Sequence, residues 1–173
     1  DQDAVAERCG KAIKMAKEAG LYVNFMGWDF SRAPIELTKQ LYDKIFSIAR
    51  PDGLVIVDTL SVATPFAFEF FIKKFCQWYP DLNITLHTHN DFGTGVGSCL
   101  AAARAGAKTL HCSINGIGDR TGNVSLEQLA CAFELLCNVK TGIKLEQLTS
   151  VCNMVAEMAK FPNPWNKPIV GSG

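Results

Sequence analysis

The stretch Thr85-Leu-His-Thr-His-Asn-Asp-Phe-Gly-Thr-Gly, running on through Ala105 to Gly106, decides how the chain is read. Ile84 to Asn90 reads as a strand, and Gly95 to Ala105 as a helix that stops at Gly106, where glycine commonly ends one. His87 and His89 stand two residues apart on the strand. Their side chains therefore point to one face and can bind one metal through imidazole nitrogens. A pair of hydrogen-bonded core histidines would show the same spacing. The metal reading is favoured by the position, at the carboxyl end of a strand beside Asn90, Asp91 and Gly93, and by the chain having only 3 histidines in all. The third, His111, falls in mid-strand and reads as structural.

Working outward, the same strand-and-helix unit recurs. Val5, Cys9, Ala12, Ile13 and Ala16 form a helical stripe before Gly20, and Leu21 to Phe25 follows as a strand. A helix opens near Pro34 with Leu37, Leu41, Ile45 and Ile48 on one face, and leads to the strand Leu54 to Thr59. Pro65 opens another helix with Phe68, Phe71, Ile72 and Phe75 as its stripe. Beyond the histidines lies the strand Thr109 to Ile114. Ser125 with Gln128 then forms a capping box that opens a helix through Leu129, Phe133 and Leu136. The last helix, Leu145 to Lys160, buries Leu148, Cys152 and Val155, and Phe161-Pro-Asn-Pro-Trp-Asn-Lys-Pro reads as extended linker. Strand starts near residues 21, 54, 84 and 109 give the cadence of parallel β/α units. A complete (β/α)8 barrel needs eight such units and about 250 residues. Four units in 173 residues leave an open doubly wound sheet or half of a barrel.

Composition excludes several classes of function. The 17 Lys+Arg balance 17 Asp+Glu, so there is no excess of cations for nucleic acid or for an anionic membrane surface. With 48% hydrophobic and 20% charged residues the chain can build a core and is not a disordered tail. No run reaches the roughly 18 to 20 apolar residues of a membrane span, and the start lacks the pattern of a signal peptide. Its first residue is Asp1, not Met, which suggests a fragment. The 7 cysteines are an odd count with no C-x-x-C spacing, so they read as reduced thiols and point to the cytoplasm.

Polar groups gather at the carboxyl ends of all four strands. Asn115-Gly-Ile-Gly-Asp-Arg-Thr-Gly-Asn123 is a glycine-rich loop longer than most β-to-α connections, and Gly116, Gly118 and Gly122 permit close ligand approach. Asp58-Thr59 ends the second strand, and Trp28-Asp-Phe-Ser-Arg32 follows the first. Each of these is an ordinary turn on its own. Together they describe one rim, the place where a β/α barrel builds its site.

The motifs His87-Thr-His-Asn-Asp-Phe-Gly, Ala105-Gly-Ala, Ile114-Asn-Gly-Ile-Gly-Asp-Arg-Thr-Gly-Asn-Val-Ser-Leu and Lys167-Pro-Ile-Val-Gly, in that order, resemble the HMG-CoA lyase-like (DRE-TIM metallolyase) family. The resemblance is to its synthase branch, which makes 2-isopropylmalate, citramalate and homocitrate. It implies α/β architecture: the C-terminal half of a (β/α)8 TIM barrel, with residues 1–160 as four parallel β/α units plus a C-terminal helix, and 161–173 as a linker onward. It also implies that His87, His89 and Asn123 ligate a divalent cation, Mg2+, Mn2+ or Zn2+. A fourth ligand, an aspartate on the first barrel strand, would lie outside the chain.

By the same resemblance Thr59, Asn90 and Asp119 bind substrate, and Asp29 and Arg120 are the catalytic candidates. Trp28 departs from the pattern, since synthases usually carry glutamate there. The implied reaction is Claisen condensation of acetyl-CoA with a 2-oxo acid, a step of amino-acid biosynthesis such as leucine's. The alternatives are C–C bond cleavage of the lyase or aldolase kind, and a fragment without turnover in isolation. The open strand edges of four units further predict a homo-oligomer.

Overall fold

A computed structural model describes residues 1–173. Four strands, β1 (Asn24–Gly27), β2 (Gly53–Asp58), β3 (Asn83–Thr88) and β4 (Thr109–Leu110), lie in the order of the chain, and every neighbouring pair is parallel. Helices alternate with them: α1 (Gln2–Glu18), α2 (Ile35–Ile48), α3 (Pro65–Trp78), α4 (Gly95–Ala105), α5 (Leu126–Cys131) and α6 (Leu148–Met158). Parallel neighbours require a crossover, and α2, α3 and α4 supply the three.

One sheet face is dry because Leu54, Ile56, Ile84 and Leu86 pack with Phe46, Phe68, Ile72 and Phe75 of the crossover helices. Phe75 is fully buried and meets Phe30 and Trp78 edge-on at 5.2 Å between ring centroids, with Tyr42 and Tyr79 at 6.1 Å. On the opposite face the register sets Val55 beside Thr85 and Val57 beside His87. That face ends in the histidines.

The elements differ from the sequence reading at their ends, for reasons of pairing. β1 starts at Asn24, not Leu21, because its ladder with β2 begins at Gly53, where Val23 accepts from the Asp52 and Gly53 amides. β4 is two residues long: after His111 the chain leaves β3, and Ser113 bonds Val124 of the returning loop and Leu126 at the start of α5. The capping box does not form. The Ser113 carbonyl takes the Leu126 backbone amide, while the Ser125 hydroxyl accepts only from the Gln128 side-chain Nε2, at 3.5 Å.

A π turn over Ala132–Leu136 follows α5 and changes the phase of the apolar stripe, so Leu136 is exposed instead of buried. Val5, Leu37 and Ile48 also stand at the surface; Ala6, Gly10 and Ile13 form the buried stripe of α1, which packs chiefly on α2. α6 starts at Leu148, three residues late, after a short 3-10 turn. All seven cysteines are free thiols. No helix is long and apolar enough to cross a membrane.

Candidate metal centre

The site is built where β3 runs out. His111 follows Leu110 in the register that pairs Leu86 with Leu110, and its amide donates to the Leu86 carbonyl, so it lies beside His87 on the same face. The His87 ring centroid is 5.2 Å from that of His89, nearly perpendicular, and 5.4 Å from that of His111. His111, read from sequence as structural, is therefore a neighbour of the pair, and the Thr85–Thr109 pairing is the feature that puts it there. Burial pushes the His87 imidazole below its usual range, and His111 and His89 push the same way, against a smaller upward pull from Asp119. A neutral ring is the form that ligates a metal.

Asn123 arrives from the glycine loop. His89 and Asn123 form an antiparallel backbone bridge, and the Asn90 amide donates to the Gly122 carbonyl at 3.0 Å. Residues opposed in such a bridge present their side chains to the same side. Within the loop the Asn123 amide donates to the Gly116 carbonyl at 2.9 Å, and the side-chain Nδ2 reaches the Ile117 carbonyl at 3.5 Å. Gly118 sits directly against that side chain, where a Cβ would meet Nδ2 at 2.6 Å.

Two buried atoms are left without a hydrogen-bond partner here: His89 Nδ1 and Asn123 Oδ1. An unpaired buried polar atom typically costs about 1 to 3 kcal/mol, so two on bridged residues mark a place prepared for something else. Imidazole nitrogen and amide oxygen suit a divalent cation. No three His, Cys, Asp or Glu side chains are grouped to hold a metal by themselves.

The other candidates form a linked rim. The Asp29 amide donates to Thr59 Oγ1 at 3.0 Å, which leaves the Thr59 hydroxyl proton free to donate elsewhere. Asp29 has a left-handed backbone, and its carboxylate is held by Arg32, which keeps it below the usual carboxylate range. Trp28 beside it is exposed. Arg120 donates from Nε and Nη2 to the two Asp91 oxygens at 2.8 Å each, and from Nη2 to the Thr59 carbonyl at 2.6 Å.

Asp91 also accepts from Ser61 Oγ at 2.9 Å, and the Arg120 guanidinium holds its carboxyl far below the ordinary range. Asn90 Oδ1 accepts the Gly95 amide at 2.9 Å and so caps α4. Asp119 is exposed on the outer part of the glycine loop, and its carbonyl accepts from Gly122.

Asp58 belongs to the frame: fully buried, it accepts from Ser31 Oγ at 2.5 Å and from the Val62 and Ala63 amides at 3.1 and 2.9 Å. The structure thus joins His87, His89 and Asn123 in one group, and Asp29, Thr59 and Arg120 in another. Sequence reasoning missed Ser61, whose pairing with Asp91 spans two loops, and the buried Glu127 under the glycine loop. A charged residue inside an apolar helical run was the available signal for Glu127.

The HMGL-like family model matches residues 1–155. The chain is 39% identical over 169 residues to homocitrate synthase AksA of Methanocaldococcus jannaschii, covering 98% of this chain and 41% of the relative. It is 35% identical over 170 residues to (R)-citramalate synthase CimA of the same organism, covering 98% of the chain and 34% of the relative. The chain therefore spans well under half of these relatives. Among solved structures it resembles the Bacillus subtilis HMG-CoA lyase with a TM-score of 0.81 at 23% identity, over 93% of this chain and 57% of that one, a likeness of fold. With four parallel strands, helical crossovers and a family match over most of its length, this chain belongs to the HMGL-like family.

Proposed function

We propose that the chain is the C-terminal half of a (β/α)8 barrel in a metal-dependent acyltransferase that condenses acetyl-CoA with a 2-oxo acid. The observation that carries this reading is the pair of unpartnered buried atoms, His89 Nδ1 and Asn123 Oδ1, on bridged residues beside the His87 ring. His87, His89 and Asn123 would hold the cation, which when bound supplies a Lewis acid to the oxo-acid carbonyl. The similarity to homocitrate and citramalate synthases supports condensation as the reaction class.

The chain's own residues do the rest. Thr59, with its hydroxyl proton unspent, donates to the oxo-acid carboxylate. Asp119 and Asn90 lie on the loops flanking the histidines and contact the substrate's polar groups from there. Arg120 fixes the height of the glycine loop against the β2 and β3 ends. Asp29, whose amide ties it to Thr59, would take the proton during enolisation of the thioester once its carboxylate is released from Arg32.

The test is thiol release from acetyl-CoA by the whole protein with Mn2+ and a panel of 2-oxo acids. Release that depends on both an oxo acid and the cation, and that His87→Ala abolishes, is the expected result. Release of acetyl-CoA from a 3-hydroxy-3-carboxylic acyl-CoA, with no oxo-acid-dependent thiol release, would establish cleavage instead.

A further inference from the structure

Beneath the glycine loop lies a buried ionic cluster whose hydrogen bonds and ion pair do not include the candidate metal residues. Glu127 of α5 is fully buried. Its Oε2 accepts the Asn115 amide at 3.1 Å, while Oε1 has no hydrogen-bond partner and faces the Lys167 ammonium at 3.5 Å. Lys167 Nζ donates to the Asn115 carbonyl at 2.9 Å, to Asn115 Oδ1 at 3.1 Å and to Asn163 Oδ1 at 2.8 Å, which uses all three of its protons. Asn115 Nδ2 donates to the Cys152 carbonyl of α6 at 2.7 Å. Every polar group of Asn115 is thus engaged, and its backbone is held left-handed at φ 61°.

This arrangement is costly unless complete. A lone carboxylate or ammonium in so dry a place is strongly unfavourable, and only the reciprocal charge and the converging hydrogen bonds offset that. The cluster fastens three things together: the first residue of the glycine loop, helices α5 and α6, and the tail from Asn163 to Lys167. It also stands one peptide from the site. Gly116 follows Asn115, and the Gly116 carbonyl accepts the Asn123 amide at 2.9 Å.

We propose that Lys167 is a positioning residue for Asn123: by clamping Asn115 it fixes the Gly116 carbonyl, and through it the amide oxygen offered to the cation. The proposal rests on the cation reading above. It makes the tail, reached through Lys167, a determinant of metal affinity although no tail residue touches the metal.

The whole protein and its Lys167→Met variant are titrated with Mn2+, and deuterium uptake is followed at residues 116–122. The expected result is an Mn2+ dissociation constant raised about tenfold, in the range of losing a group that orients a ligand, together with faster exchange in the loop. In an Asn123→Ala background the same change should move the constant less than twofold, since the ligand it positions is already gone.

Because Lys167→Met leaves a lone buried carboxylate, Glu127→Gln/Lys167→Met is measured as well and should show the same two effects while remaining folded. Wild-type affinity and loop exchange in both variants would overturn the proposal. So would an equal loss with and without Asn123, or unfolding of the double variant, because either would make the cluster a general prop. If the unaltered whole protein binds no Mn2+, the cation reading fails by itself. The clamp is then judged by exchange, with faster uptake supporting it and unchanged uptake refuting it.

Discussion

Gly118→Ala isolates the contribution of Asn123 better than removing Asn123 itself. Gly118 has no unusual backbone conformation, so alanine meets no torsional penalty there. The added Cβ would lie 2.6 Å from Asn123 Nδ2, 2.8 Å from its Cγ and 3.0 Å from its backbone nitrogen. Ordinary contact begins near 3.4 Å, so the amide must retreat by about 0.8 Å, several times the roughly 0.2 Å by which metal–ligand distances vary. The oxygen would then be drawn away from the position in which it would meet a cation.

A loss of about 10- to 100-fold in Mn2+ affinity is expected, or about 1.4 to 2.8 kcal/mol. Isothermal titration of the variant beside the unaltered whole protein measures it, with thermal unfolding as the control for stability. Undiminished affinity in a folded Gly118→Ala chain would show that Asn123 Oδ1 is not a ligand.

Three further outcomes follow from the same structure. Asp91 is held ionised by Arg120, and a carboxylate depressed on folding contributes stability that is complete above its unfolded value of 3.8 and drains away as pH descends toward the folded one. Asp91→Asn should therefore flatten the acid limb of the stability profile below about pH 4, read by circular dichroism, and an unchanged limb would dismiss the Arg120 tether. Phe75→Ala removes a fully buried ring from the aromatic cluster and should cost about 3 to 5 kcal/mol in denaturant titration. Gly97→Ala, on the exposed side of α4 with only Pro65 Cγ at 3.5 Å, should instead stabilise by about 0.5 to 1 kcal/mol, and a lowered melting temperature would contradict that.

Periodic features were legible before any coordinates. The apolar runs around Leu54–Val57 and Ile84–Leu86 and the stripe of α3 depend on local spacing, and four parallel units follow from their cadence. The shared face of His87 and His89 is likewise a property of two-residue spacing on an extended chain. Asn123 was reachable only through resemblance, because what brings it to His89 is a backbone bridge between distant segments, and no local pattern encodes such a bridge. The shortness of β4 arises where the chain after His111 bonds the returning segment through Ser113 and Val124 instead of β3. The Glu127–Lys167 pairing was illegible for the same reason, since its members come from separate elements and neither has an obvious companion nearby in sequence.

Arg120 gives the rim its mechanical character. One guanidinium grips the loop after β3 through Asp91 and the loop after β2 through the Thr59 carbonyl, while its own residue belongs to the loop after β4. Three segments that could have drifted as separate flaps are belted into a single collar. Retuning such a mouth for a bulkier or smaller guest requires coordinated changes in all three, so a lone loop replacement that severs the belt sacrifices the opening's shape before it alters its preference.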